Sequence, residues 1–192
     1  DKQPVREGYT FTGWYADKAL TEPIDDIRMT SNKTVYAGWE RTGVPDRLNG
    51  DDHFAYIIGR DDGLVHPEAP ITRAEVAIIF FRLLTDEARE AYWSQSNPYS
   101  DVASGDWYNN AISTLTSMGI LDGYPDGTFR PTEPITRSEF TKIAVSFFEF
   151  TEGDLTYDGR FSDVEGTEWY VTFLAAAVEY GLIEGMPDGT FH

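Results

Sequence analysis

Two arginines share one local setting. Arg73 lies in Ile-Thr-Arg-Ala-Glu, residues 71–75, and Arg137 lies in Ile-Thr-Arg-Ser-Glu, residues 135–139. Thr72 and Thr136 suit helix N-caps, because a threonine hydroxyl accepts from a backbone N–H left unpaired at a helix start. Glu75 and Glu139, three residues on, complete capping boxes, which are structural pairings that need no ligand. Each arginine then takes the first helical position, where the helix dipole is positive and a cation costs a few tenths of a kcal/mol. A cation set twice against the dipole suits a carboxylate ligand, since free N–H groups and a planar guanidinium fork both match that anion. An ion pair to a neighbouring Asp or Glu explains the arginines as well on residue chemistry alone. Glu75 and Glu139 could also orient the arginines beside them.

Other residues could recognise a sugar. Asp62-Gly63, Asp126-Gly127 and Asp188-Gly189 are turn dipeptides, and their glycines would let a sugar ring approach the backbone. Tyr124, in the second of these loops, is placed to stack on a sugar face. Trp107 and Trp169 suit either a groove edge or the core, and helical spacing favours the core. The stretch Asp-Gly-Tyr-Pro-Asp-Gly lacks the alternating acids of a calcium loop. His53, His66 and His192 have no metal-ligand spacing, and the chain has no cysteine and no G-x-S-x-G. Neither a metal nor a cofactor is expected, and the chain is expected not to be an enzyme. The enzyme-class alternative is a carboxylate pair for glycoside hydrolysis hidden among the 33 acids. A second alternative is a protein-interaction module that binds no glycan and pairs through the segments 9–15 and 33–39.

Composition narrows the partners. Hydrophobic residues make up 41% and aromatics 15% of the 192 residues, which marks folded rather than disordered sequence. The net charge of −18 repels nucleic-acid phosphates and anionic membranes. No apolar run approaches the roughly 20 residues of a membrane span. Nucleic-acid binding and membrane insertion are therefore not expected, and an anionic ligand would depend on a few local cations.

The elements that must position these residues are repeated. Residues 59–75 match 123–139 at nine of 17 positions, and 99–129 match 161–191 at 12 of 31. The offsets, 64 and 62 residues, define one unit of about 60 residues present up to three times. In 107–118 the apolar positions Trp107, Ala111, Ile112, Leu115 and Met118 predict a helix, closed by a left-handed cap at Gly119 and, in the next copy, at Gly181. A turn-rich link with Thr-Phe extended leads to a second helix that starts at the Ile-Thr-Arg motif. Phe80 and Phe81, and Phe147 and Phe148, are adjacent pairs within that helix, and at least one of each pair is expected in the core. One unit cannot bury its own apolar faces, so the copies should pack on one another. Upstream, Tyr9 and Phe11, then Val35, Tyr36 and Trp39, predict short strands. Residues 41–52 are polar with Gly and Pro and suit a linker.

From about residue 50 to 192 the chain resembles the S-layer homology repeats of bacterial surface proteins. "SDV…W", "GYPDGTF.P" and "ITR[AS]E" occur in that family's order and spacing. Residues 8–39, with "GYTFTGWYADKAL" and "VYAGW", resemble the second half of a Listeria–Bacteroides repeat. These resemblances imply a mainly α protein: a pseudo-threefold helical spindle of three repeats with short β or turn links, after a small β-rich N-terminal fragment. The expected parts are 1–42 as the partial β module, 43–52 as linker, 53–98 as repeat one with a degenerate opening, 99–158 as repeat two, and 159–192 as a truncated repeat three. Both ends then read as cut from a longer chain. The resemblance further implies a place at the extracellular surface of a Gram-positive cell, and a monomer is expected. It would be anchored there by secondary cell-wall polysaccharide, often pyruvylated, bound in grooves between repeats. Arg73 and Arg137 match the family's implicated arginine; copy three shows none.

Overall fold

The computed structural model describes residues 4–5, 9–24, 34–41, 43–50, 57, 59, 62–148 and 155–191. His53 and His192 lie outside them. The chain divides into two compact units, Asp1–Val44 and Pro45–His192.

The first unit holds a three-stranded antiparallel sheet. Strands β1 (Tyr9–Tyr15), β2 (Pro23–Ile24) and β3 (Tyr36–Arg41) run in the order β2-β1-β3. The register of β1 with β3 pairs Phe11 with Trp39 and Tyr15 with Tyr36, and shifts by one residue between Phe11 and Gly13. Phe11 meets Trp14 and Trp39 edge-on, at 5.3 and 5.5 Å between ring centres. A Cβ on Gly38 would lie 2.3 Å from the Tyr15 ring, so only glycine fits under that tyrosine. The Asp17 carboxylate closes the turn before β2 by accepting from the N–H groups of Thr21 and Glu22.

The second unit is helical. Its helices are α1 (Arg73–Leu83), α2 (Asp86–Tyr92), α3 (Asn109–Ser117), α4 (Arg137–Val145) and α5 (Val171–Glu179). Capping boxes form at both threonines: Thr72 Oγ1 accepts from Glu75 N, Thr136 Oγ1 accepts from Glu139 N, and each glutamate returns to its threonine N–H. Gly119 and Gly181 have φ of +73° and +65°, the left-handed conformation that ends α3 and α5. Packing joins the end of one copy to the start of the next. Helix α1 of copy one packs on α3 of copy two, and α4 of copy two packs on α5 of copy three. Val76, Ala77, Phe80, Ile112, Leu115 and Phe129 share one core with Ile143 and Phe147, whereas Val145 joins Ala176 and Ala177. Of the paired phenylalanines, Phe80 and Phe147 are buried while Phe81 and Phe148 are partly exposed.

The Asp-Gly links are turns, as their composition expects: Tyr124 N donates to Thr128 O at 2.7 Å, and Met186 N to Thr190 O at 2.8 Å. Two features depart from the sequence pattern. Helix α2 was not marked by it; Thr85 caps it by accepting from Ala88 N, and it packs on α3. Trp107 is not in the core. Helix α3 starts two residues later, and Trp107 is 66% exposed against the edge of Tyr108; Trp169 is 60% exposed against Tyr170 in the same way. Within the polar stretch before α1, Asn49 N donates to Leu83 O and Thr85 N to Arg47 O, which ties residues 47–49 to the end of α1.

Candidate functional site

The arginine of one copy reaches into the Asp-Gly loop of the next. Arg73 is only 5% exposed. Its Nε donates to Phe129 O at 2.8 Å, its Nη2 to Asp122 O at 3.3 Å, and its Nη1 lies 3.1 Å from Glu139 Oε1. The guanidinium also lies 4.9 Å from the centre of the Tyr124 ring and 4.6 Å from that of Phe129. The Tyr124 hydroxyl donates to the same Glu139 oxygen at 2.6 Å. Burial pushes the Glu139 carboxyl up, but the Thr136 N–H, the Tyr124 hydroxyl and the Arg73 charge outweigh it and hold it below the ordinary glutamate value. The phenol of Tyr124 is pushed up, first by burial and then by that bond to Glu139.

Arg137 repeats the placement with different company. Its Nη2 donates to Glu184 O at 2.8 Å, its Nη1 faces Met186 Sδ at 3.3 Å, and its guanidinium lies 5.1 Å from the centre of the Phe191 ring. Glu184, Met186 and Phe191 stand where Asp122, Tyr124 and Phe129 stand one copy earlier. Among the described residues, no carboxylate lies within 4.0 Å of Arg137. At α1, Arg73 N donates to Glu133 O and Ala74 N to Pro131 O, both at 2.9 Å, so copy two meets these N–H groups.

The loops are braced from within. Asp126 Oδ1 accepts from Thr128 N and Oγ1, Asp188 Oδ1 from Thr190 N and Oγ1, and Asp62 Oδ1 from Leu64 N. The Thr128 hydroxyl, then Arg130, then the Thr128 N–H lower the Asp126 carboxyl to about 2. Gly63, Gly127 and Gly189 all have φ near +80°, with open space where a Cβ would stand. The aspartate of each "SDV" closes the far side. Asp101 accepts from Phe129 N at 2.7 Å and Arg130 N at 2.8 Å, and Asp163 accepts from Phe191 N at 2.7 Å. That clamp was missed in the sequence because 28 residues separate donor from acceptor; its recurrence at Asp101 and Asp163 was the available signal. The structure thus brings Arg73, Tyr124, Glu139, Asp126 and Gly127 into one region at the first junction, and sets Arg137 against the Asp188-Gly189 loop at the second. Thr72 and Glu75 engage each other at the helix start.

Comparison with known proteins finds a family for each part of the chain. The family model of the S-layer homology domain matches residues 55–77, 98–141 and 160–192, and that of the Listeria-Bacteroides repeat domain matches residues 1–38. The chain is 42% identical over 158 residues to Cell surface glycoprotein 1 of Acetivibrio thermocellus, covering 77% of this chain and 7% of that protein. It is 34% identical over 151 residues to the Cellulosome-anchoring protein of the same organism, covering 77% of this chain and 34% of that protein. It is 37% identical over 165 residues to the Surface-layer 125 kDa protein of Lysinibacillus sphaericus, covering 85% of this chain and 13% of that protein. The chain therefore spans about a third or less of the length of each of these relatives.

Proposed function

Because the chain belongs to the S-layer homology domain family, we propose that residues 55–192 hold a larger surface protein non-covalently on the bacterial cell wall by binding its polysaccharide. The repeats at 53–98, 99–158 and 159–192 are the binding units, behind a connecting segment at 43–52 and a β module at 1–42. The unit is an anchor and not a catalyst. It works outside the cell, as the names of the surface-layer and anchoring relatives suggest. Its ligand is an acidic glycan, whose carboxylate, such as a pyruvate ketal, is gripped by the arginine at each junction.

One observation carries this reading: the same guanidinium placement, used twice, already grips a carboxylate at the first junction. Arg73 holds Glu139 at 3.1 Å. Arg137 approaches the loop of copy three in the same way, with Nη2 on Glu184 O at 2.8 Å. Arg137 therefore takes the glycan carboxylate, and Arg73 takes it by exchange with Glu139. The Asp-Gly loops line the approach, with Tyr124 beside the arginine and Trp107 and Trp169 as exposed stacking faces.

The test is co-sedimentation of the whole chain with cell-wall sacculi of Acetivibrio thermocellus, before and after chemical removal of their polysaccharide. The chain should pellet only with polysaccharide-bearing sacculi, and Arg137→Ala should weaken pelleting about tenfold or more, the loss of one or two charge-assisted hydrogen bonds. Equal pelleting with stripped sacculi would refute the reading.

A further inference from the structure

Arg130 and His66 have a feature in common that the junction arginines lack. Both are non-glycine residues in the left-handed region, with φ of +59° and +51°. They occupy the same repeat position, four residues after the aspartate of the Asp-Gly turn, at the 64-residue offset of copies one and two. Both are basic, and each folds back on that aspartate. His66 Nε2 lies 2.6 Å from Asp62 Oδ2, and Arg130 Nη2 lies 3.0 Å from Asp126 Oδ2. Their side chains are equally exposed, at 39%. Glycine or asparagine would take this backbone conformation with less strain. At Arg130 this outlier holds a permanent cation, which points to use of its charge.

Arg130 is also joined to the junction. Its guanidinium sits 4.0 Å from the centre of the Tyr124 ring, the ring that Arg73 approaches at 4.9 Å. Its Nε is braced by Thr128 Oγ1 at 3.4 Å and its Nη2 by Asp126. Its Nη1 lies 3.8 Å from Glu133, beyond hydrogen-bond reach, and makes no hydrogen bond among the described residues. Tyr124 thus carries a buried guanidinium and an exposed one. The exposed one is preorganised by stacking, with a donor left over.

We propose that Arg130 is a second anion-recognising residue of the first junction: its Nη1 and the released Nη2 receive the carboxylate of the wall glycan at the rim, where Arg73 is too buried to make first contact. This rests on the wall-binding reading above. Asp126 is then an internal competitor that holds the fork in place until the glycan displaces it. His66 marks the same position in copy one.

The experiment titrates the full chain and two variants against polysaccharide-bearing sacculi of Acetivibrio thermocellus, with melting curves alongside. Arg130→Gly removes the cation and keeps a residue at ease in the left-handed region, so the fold should survive. Its affinity should fall about tenfold. Asp126→Asn keeps the oxygen that accepts from Thr128 but releases Arg130, and its affinity should rise severalfold. A bracing role alone would lower the melting temperature of both variants and leave affinity unchanged, and that result overturns the proposal. So does an Asp126→Asn variant that binds no tighter. If the unaltered chain fails to pellet, wall binding itself is refuted; if it pellets and Arg130→Gly pellets equally, only the role of Arg130 falls.

Discussion

Replacing Arg73 and Arg137 one at a time should separate two arginines that the sequence writes identically. Arg73→Ala removes a buried guanidinium, its bonds to Phe129 O and Asp122 O, and the charge partner of Glu139. Glu139 would stay under the same cover with only Tyr124 and its own cap to hold its charge. Breaking a buried pair by deleting one partner costs about 3–5 kcal/mol. For a domain of about 150 residues each kcal/mol lowers the melting temperature by about 2–4 °C, so the fall should be roughly 6–20 °C. Arg137→Ala removes a half-buried side chain whose main bond is to Glu184 O, and strands no buried charge. It should cost about 1 kcal/mol, or roughly 2–4 °C. Calorimetric melts of the three proteins in one buffer read the difference. Equal falls would show that Arg73 is not bound into the copy-two loop as described, and the reasoning from burial would be wrong.

The two glycines of one loop should fail for different reasons. Gly123→Ala drives a Cβ to 2.4 Å from the Tyr99 ring and 2.6 Å from Thr128 O, and should cost about 1–3 kcal/mol whatever small residue is tried. Gly127→Ala meets open space but must hold φ near +79°, at about 1 kcal/mol, and Gly127→Asn should recover part of it; chemical denaturation of the three variants checks both claims. The Glu139 carboxyl titrates below the ordinary glutamate value in the folded protein. Its stabilising contribution is therefore complete above the unfolded value of 4.5 and is lost as pH falls through the folded one. The melting-temperature gap between the unaltered chain and Glu139→Gln should accordingly close as pH is lowered from about 5 to about 3; a gap that widens on acidification would reverse the sign of that linkage.

What could be read in the sequence was local. The threonine–glutamate spacing of the capping boxes spans three residues, and Gly119 and Gly181 each end their own helix, so both are visible without the fold. The repeat offset also announced that one copy needs the next. The details of that need were not legible. Arg73 meets Glu139 across 66 positions, and Asp101 meets Phe129 across 28, because each copy completes its neighbour. Gly123 looks like a turn residue, yet it is required by the approach of the Tyr99 ring, as Gly185 is by Phe161. Trp107 followed the helical period but precedes the helix, since apolar spacing cannot locate a helix start to within two residues. The left-handed basic residues His66 and Arg130 carry no marker in composition or periodicity. The repeat alignment pairs them, and only the backbone shows what they share.

The most direct measurement is isothermal titration of the full chain with purified wall polysaccharide, once with its acidic substituents intact and once after mild acid has removed its ketals. Anchoring through junction arginines expects saturable binding to the intact glycan, a loss of affinity of about tenfold or more without the carboxylate, and a similar loss for Arg137→Ala on the intact glycan. Equal heats and equal affinity for the intact and stripped polymers would contradict it.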